Sequence, residues 1–357
     1  MIEHRIGRRA VLATAAAAAL PRFAIAQGKR SLSFTTSWLP EGPNLFAYVA
    51  RDKGFWAARG LDVSVARGSG SGAAAQATGA GTFDFGMSAT PAVIQQASQG
   101  LPIVCIGQSN YSGMMGVGVL ADSPIKTPKD LEGRTLGSAV TSGEYPFLPL
   151  YAKLAGFDLA QVKQVQLDPK VRDRVLMDKQ VDAATGFGTS MIPALGASGV
   201  KLRLLSYDAA GLHFYGQSLI TQQARLADKG LVQAFVDGAM EGMIWSMTNF
   251  DAAIDIFIKA NDEVSMSKTG REYTRLGLGL TIATNLVPEV REHAFGWADP
   301  AKVKTMAEQV VTYATKEGTK VPDTDKLFTN DFVTMKLDAA QLAKAEATAQ
   351  PFMSYLG

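Results

Sequence analysis

Cysteine, histidine and unbalanced charge are all scarce in this chain. Cys105 is the only cysteine among 357 residues, so neither an intrachain disulfide nor a thiolate metal cluster can form. It lies in an apolar run that reads as a strand, where a buried, inert thiol is expected. Beyond residue 26 only His213 and His293 occur, with no carboxylate spacing that would complete a metal site. There is no Gly-x-Ser-x-Gly elbow and no cysteine in a catalytic context. The run Gly68-Ser69-Gly70-Ser71-Gly72 lacks the Lys-Ser/Thr ending of a phosphate loop and reads as a flexible, ligand-facing turn. No catalytic residue, metal or cofactor is therefore expected. The formal charge of +2 also dissolves on inspection. Arg5, Arg8, Arg9 and Arg22 face only Glu3 in the first 26 residues, and beyond them 31 basic residues face 32 acidic ones. A nucleic-acid surface needs a basic patch, which this balance does not supply. No repeat is visible, and no apolar run is long enough to span about 30 Å of hydrocarbon.

Apolar residues make up 47% of the chain, and its length allows two domains and a large core. Arg8-Arg9, the apolar stretch 13–20 and Ala24-Ile25-Ala26 form a twin-arginine-like export signal over 1–26, with cleavage near Ala26. Gly7 stands where many such signals have serine, which keeps the general secretory route open. Either route leads to the periplasm, and no cysteine follows the cleavage site to carry a lipid.

Composition and periodicity predict strands over 31–37, 61–66, 83–87 and 101–108, with helices over 44–58, over 73–80 and from Pro91 onward. Pro91 falls in a first helical turn, where its missing N–H costs nothing. Further strands are read over 135–138, 162–167, 183–186, 202–205 and 214–221. They alternate with helices that end near 155 or cover 171–178 and 191–198. The remainder is helical over 229–249, 250–261, 270–284, 300–316 and 337–355. This α/β alternation implies a parallel sheet covered by helices. Crossing segments near 116–120 and 219–222 divide the chain into two lobes, residues 27–118 plus 222–357 and residues 119–221, with a ligand cleft between them. Such sheets bind ligands at the carboxyl ends of their strands, which brings the loops 38–44, 68–72 and 88–91 to one edge.

Trp38, the stretch from Asn44 through Gly54-Phe55-Trp56, and Gly60-Leu61-Asp62-Val63 resemble the opening of one family of ABC-transporter substrate-binding proteins. That family includes periplasmic nitrate, sulfonate, taurine and thiamine-pyrimidine binding proteins and the yeast thiamine pyrimidine synthase. Phe83-Asp84-Phe85-Gly86, Pro128-Lys129-Asp130-Leu131-Glu132-Gly133, Gln180-Val181-Asp182-Ala183-Ala184, Gly296-Trp297-Ala298-Asp299-Pro300 and Phe328-Thr329-Asn330-Asp331-Phe332 continue the match in order. The resemblance covers nearly all of the chain beyond residue 26. It implies a two-lobed periplasmic-binding-protein fold, a small-molecule ligand, a membrane ABC permease as partner and a monomer. Ser142-Gly143-Glu144-Tyr145 is similar to the Gly-Glu-aromatic loop with which the pyrimidine-binding branch cradles its ligand.

The ligand-binding candidates follow from both lines. Trp38 ends a strand and offers a stacking face. Asn44 is either a cleft amide or a helix cap. Ser88 and Thr90 stand where a strand hands over to a helix, a place suited to an anion or carbonyl. Ser142, Gly143, Glu144 and Tyr145 supply the matching turn from the other lobe. Glu144 repels a bare anion and accepts from an aminopyrimidine, or else is a first-turn helix acid. Phe187 and Tyr215 are candidate cleft aromatics. The expected function is solute capture for an importer. The alternative is a thiamine pyrimidine synthase-like enzyme. Two departures oppose it: that branch's cysteine-rich motif is missing, and Pro43-Asn44-Leu45-Phe46 has no histidine where the yeast enzyme carries one.

Overall fold

The computed structural model describes residues 29–356, so the expected export signal lies outside them. Ten strands form two five-stranded sheets. The first contains β1 (Arg30–Thr35), β2 (Leu61–Ala66), β3 (Phe85–Ala89), β4 (Ile103–Asn110) and β10 (Gln217–Gln222), in the order β2-β1-β3-β10-β4. The second contains β5 (Met115–Leu120), β6 (Thr135–Ser138), β7 (Lys163–Gln166), β8 (Ala183–Phe187) and β9 (Leu202–Ser206), in the order β7-β6-β8-β5-β9. Each sheet belongs to one lobe. Helices α1 (Leu45–Asp52), α2 (Ser71–Gly79) and α3 (Thr90–Ser98) follow the first lobe's strands, and α4 (Leu148–Ala155), α5 (Arg172–Met177) and α6 (Gly188–Gly196) the second's.

The sheets are mixed, not parallel as the alternation suggested. β1 pairs in parallel with β2 and β3, and β6 with β7 and β8, but β10 and β5 run antiparallel to both of their neighbours. The cause is geometric. The chain changes lobes at the carboxyl edges of the sheets, after Asn110 and again before Gln217. A strand that starts at that edge must run away from it, against the strands that end there. The stretches expected as crossings, 116–120 and 219–222, are therefore strands inside the sheets. The crossings themselves fall in the short segment between β4 and β5 and in the segment between β9 and β10.

The helix expected over 44–58 stops at Asp52. Gly54 takes φ +74° and the chain turns, so that Phe55 N–H donates to the Ala50 carbonyl at 2.9 Å. The turn drives Trp56 into the core, where its Nε1 donates to the Phe235 carbonyl at 2.9 Å. Phe235 stacks on Phe85 with ring centroids 3.8 Å apart and on Trp56 at 5.4 Å. This aromatic column ties the helix Lys229–Thr248 to the first sheet. Cys105 is fully buried in β4, and burial pushes its thiol up to about 12.

The helix Gly270–Asn285 fixes the loop 38–44 that follows β1. It passes the loop backbone so closely that a Cβ on Gly42 would lie 2.1 Å from the Gly277 carbonyl carbon. Tyr273 of the same helix donates its hydroxyl to the Pro40 carbonyl at 2.9 Å.

Candidate functional site

The carboxyl edges of the two sheets face each other around a small cavity. Ser37, Trp38, Glu41, Ser71 and Gln217 line it from the first lobe, and Ser142, Arg172, Phe187 and Ser190 from the second. Every lining residue lies at or just after the carboxyl end of a strand, at the start of a helix, or, for Gln217, at the start of β10. Ligands collect at this edge of an α/β sheet because the loops there are free of ladder pairing.

Hydrogen bonds lock the first lobe's wall. Thr36 Oγ1 donates to the Trp38 carbonyl at 2.8 Å, and the Gly68 N–H donates to both Thr36 Oγ1 (2.9 Å) and the Trp38 carbonyl (3.1 Å). A Cβ on Gly68 would strike the Thr36 carbonyl oxygen at 2.1 Å, so glycine is required for this approach. The Gly70 N–H donates to the Ser37 carbonyl at 3.0 Å. The glycine run is thus strapped to the Trp38 loop, against the flexible turn expected. Ser37 Oγ donates to Gln217 Oε1 at 2.9 Å, which joins this wall to β10.

The second lobe contributes a buried ionic group. Arg172, 1% exposed, begins α5 and donates from Nε and Nη2 to the Asp173 carboxylate at 2.8 and 3.1 Å; Nη2 also reaches Ser190 Oγ at 3.2 Å. Gly186 makes room for the guanidinium, since a Cβ there would lie 2.9 Å from Nη1. The Trp38 ring of the first lobe covers Arg172 at 5.2 Å, a cation–π contact across the cleft. Burial works against the arginine's charge, but Asp173, Glu144 and Glu41 hold its pKa above the ordinary value.

Glu41 and Glu144 are both buried and flank this cation. Burial pushes the Glu41 carboxyl up to about 8, with the Ser190 hydroxyl and Arg172 pulling the other way. Burial also raises Glu144, opposed by a hydrogen bond from Ser142 Oγ to its Oε2 and by Arg172. Glu41 Oε2 and Glu144 Oε1 have no hydrogen-bond partner.

The lobes also meet at the rim. The Gly72 N–H donates to the Thr141 carbonyl at 3.2 Å, and Thr141 Oγ1 donates to the Ser69 carbonyl at 2.8 Å. Gly143 presses on the other lobe: a Cβ there would lie 2.6 Å from the Ala89 Cβ.

Of the residues singled out from the sequence, Trp38, Ser142 and Phe187 line the cavity, and Gly143 and Glu144 belong to the same cross-lobe cluster. The others are occupied elsewhere. Asn44 accepts from the Glu41 N–H and donates to the Leu39 carbonyl, both at 3.0 Å, so it shapes the loop. Ser88 Oγ donates to the Ser71 carbonyl at 2.8 Å. The Thr90 N–H is spent on the Gly216 carbonyl at 3.0 Å and its hydroxyl pairs with Ser218 Oγ at 2.8 Å, so neither is offered to an anion. Tyr145 is half-buried against core side chains. Tyr215 takes the Asp299 N–H at 3.0 Å and donates to Glu289 at 3.3 Å, on the first lobe. Sequence reasoning did not single out Ser37, Glu41, Ser71, Arg172, Ser190 or Gln217. Arg172 and Ser190 stand at the same strand-to-helix positions that pointed to Ser88 and Ser142, and that rule applied evenly would have found them.

Comparisons with known proteins agree with this architecture. Residues 44–253 match the family model described as NMT1/THI5 like. The chain is similar to the formylaminopyrimidine-binding protein of Halalkalibacterium halodurans, with 27% identity over 231 residues, 64% of this chain and 70% of that one. It is also similar to a 4-amino-5-hydroxymethyl-2-methylpyrimidine phosphate synthase of Legionella pneumophila, with 22% identity over 251 residues, 69% of this chain and 79% of that one. In fold it is similar to the periplasmic aliphatic sulphonate binding protein SsuA of Escherichia coli, with a TM-score of 0.61 and 16% identity, covering 84% of this chain and 96% of that one. Among the described residues no helix is long and apolar enough to cross a membrane. With a two-lobed periplasmic-binding-protein fold and a family match over more than half its length, this chain belongs to the NMT1/THI5-like family.

Proposed function

We propose that this protein is the substrate-binding component of an ABC importer, exported to the periplasm, where it captures a small polar or heteroaromatic solute and delivers it to a membrane permease. The carrying observation is a cavity whose walls come from both lobes, with an aromatic ring, a buried cation and two buried carboxyls around it. Such a site is complete only when the lobes are together, so ligand binding and hinge closure are one equilibrium. The lobe boundaries we place inside the two crossings, because β5 and β10 are sheet strands. The name of the Halalkalibacterium relative favours a formylaminopyrimidine-like solute, and that of SsuA keeps sulphonates in the screen.

The name of the Legionella relative supports an enzymatic reading. Against it, Asn44 stands in the segment where the synthase branch carries a histidine, and its amide is consumed by the loop backbone. Iron analysis and a synthase assay on the purified protein separate the two readings. The importer reading is tested by a thermal-shift screen over aminopyrimidines, sulfonates, nitrate and aromatic carboxylates, followed by small-angle scattering with the best binder. Compaction on saturation is expected. An unchanged profile alongside binding in the cleft refutes the hinge.

A further inference from the structure

The groups around the cavity hold more carboxyls than cations. Arg172 already has its counter-ion, because Nε and Nη2 both rest on Asp173, the next residue of the same helix. Glu41 from the first lobe and Glu144 from the second are therefore carboxyls in excess of the cation available. Each keeps one oxygen without a donor. Glu41 lines the cavity directly and is 3% exposed. The groups that face it are Arg172 and Asp173 from α5, Ser190 from α6 and Tyr273 from the helix Gly270–Asn285. The only cation in that set is the guanidinium already paired with Asp173. A buried polar atom left without a partner is destabilising, and a bare anion entering here would find the one guanidinium already held by Asp173. A cationic or N–H donor would supply the missing partner, and it can arrive only when the two lobes part.

We propose, on the reading of this chain as a cleft-binding protein, that Glu41 is a ligand-reading residue of the first lobe and selects flat ligands that present a positively charged or N–H-bearing edge to it. Trp38, beside it, supplies the stacking face for such a ligand. Burial keeps the Glu41 carboxyl protonated at neutral pH. A cation seated against it favours the carboxylate, and the displaced proton passes to the buffer, so that charge balances: acid plus cation gives an ion pair plus a free proton.

The test uses the full exported protein and three probes of one shape: benzamidinium, benzamide and benzenesulfonate. Ligand-detected NMR at millimolar concentration ranks them, and calorimetry in two buffers of different ionisation enthalpy counts the protons. Benzamidinium should bind at least about tenfold tighter than benzamide, the margin of one charge-assisted hydrogen bond, and benzenesulfonate weakest. At pH 7 the cation should release close to one proton per molecule bound, and the neutral amide none. Glu41→Gln should erase both the preference and the proton release, and Glu41→Asp should retain the preference. Benzenesulfonate binding as tightly as benzamidinium, or a preference untouched by Glu41→Gln, overturns the assignment of Glu41 and leaves the cleft-binding reading standing. Failure of all three probes and of every class in the thermal-shift screen overturns both.

Discussion

Replacing Glu41 by glutamine should make the protein more stable at high pH and change little at low pH. In the unfolded chain the Glu41 carboxyl ionises near its ordinary value of 4.5, whereas burial in the native cleft moves it to about 8. Below pH 4.5 the group is protonated in both states and contributes no pH dependence. Between 4.5 and 8 the folded state keeps a proton that the unfolded state has lost, so stability falls as pH rises. Above about 8 both states are ionised and the full penalty is in force. At 1.36 kcal/mol per decade, that penalty is about 5 kcal/mol. Unfolding entropy near 2.1 cal/mol/K per residue, for a chain of this length, makes this about 7 °C in melting temperature. Glutamine is isosteric, carries no charge and keeps one acceptor for the Ser190 hydroxyl. The assay is the melting temperature of wild type and Glu41→Gln at pH 5 and pH 9, read as a double difference. The variant should gain several degrees at pH 9 and about none at pH 5. Equal pH dependence in the two proteins would refute the reasoning, because Glu41 would then be solvated in the native state.

Arg172→Met should be destabilising by about 3–5 kcal/mol in urea titrations at pH 7, because Asp173 and the buried Glu144 would be left without the cation beside them; a loss below 1 kcal/mol would mean that water reaches the carboxylates. Gly143→Ala should hold the lobes apart, since its Cβ would overlap Ala89 of the first lobe at 2.6 Å. Scattering should show a larger radius of gyration with melting little changed, and a wild-type radius counts against this rim contact. Gly42→Ala forces the Trp38–Glu41 loop off the helix Gly270–Asn285 and should cost about 1–3 kcal/mol together with ligand binding; unaltered affinity in the screen would show the loop to be more compliant than this packing implies. Glu144→Gln should weaken an amine-bearing ligand by about 1.5–3 kcal/mol, and sulfonate binding that is tight and indifferent to the change would make Glu144 a helix-turn acid instead.

Much of this protein is determined by local sequence. β2 and β6 fall on the stretches read from composition, 61–66 and 135–138, and the C-terminal helices begin where periodicity puts them at 229, 250, 270 and 300. Those elements follow from side-chain alternation, apolar spacing and proline position, all local properties. Trp38 and Phe187 were legible for a similar reason: a residue at the carboxyl end of a strand is carried to the ligand edge by topology alone. The direction of β5 and β10 was not legible, because a strand's sequence is the same whichever way it runs, and direction is set by where the chain changes lobes. Asn44, Thr90 and Tyr215 had the chemistry of ligand contacts, yet their polar atoms are taken by backbone and side-chain partners up to 128 residues distant in the case of Thr90 and Ser218. Nothing next to Arg172 or Glu41 in the sequence marks either charge as buried. Only the approach of two lobes, 131 positions apart along the chain at these residues, strips both of water and places Trp38 over the guanidinium. Desolvation, which sets how strongly a charge acts on its neighbours, is a property of what lies around a residue in space, and that was decided by tertiary structure alone.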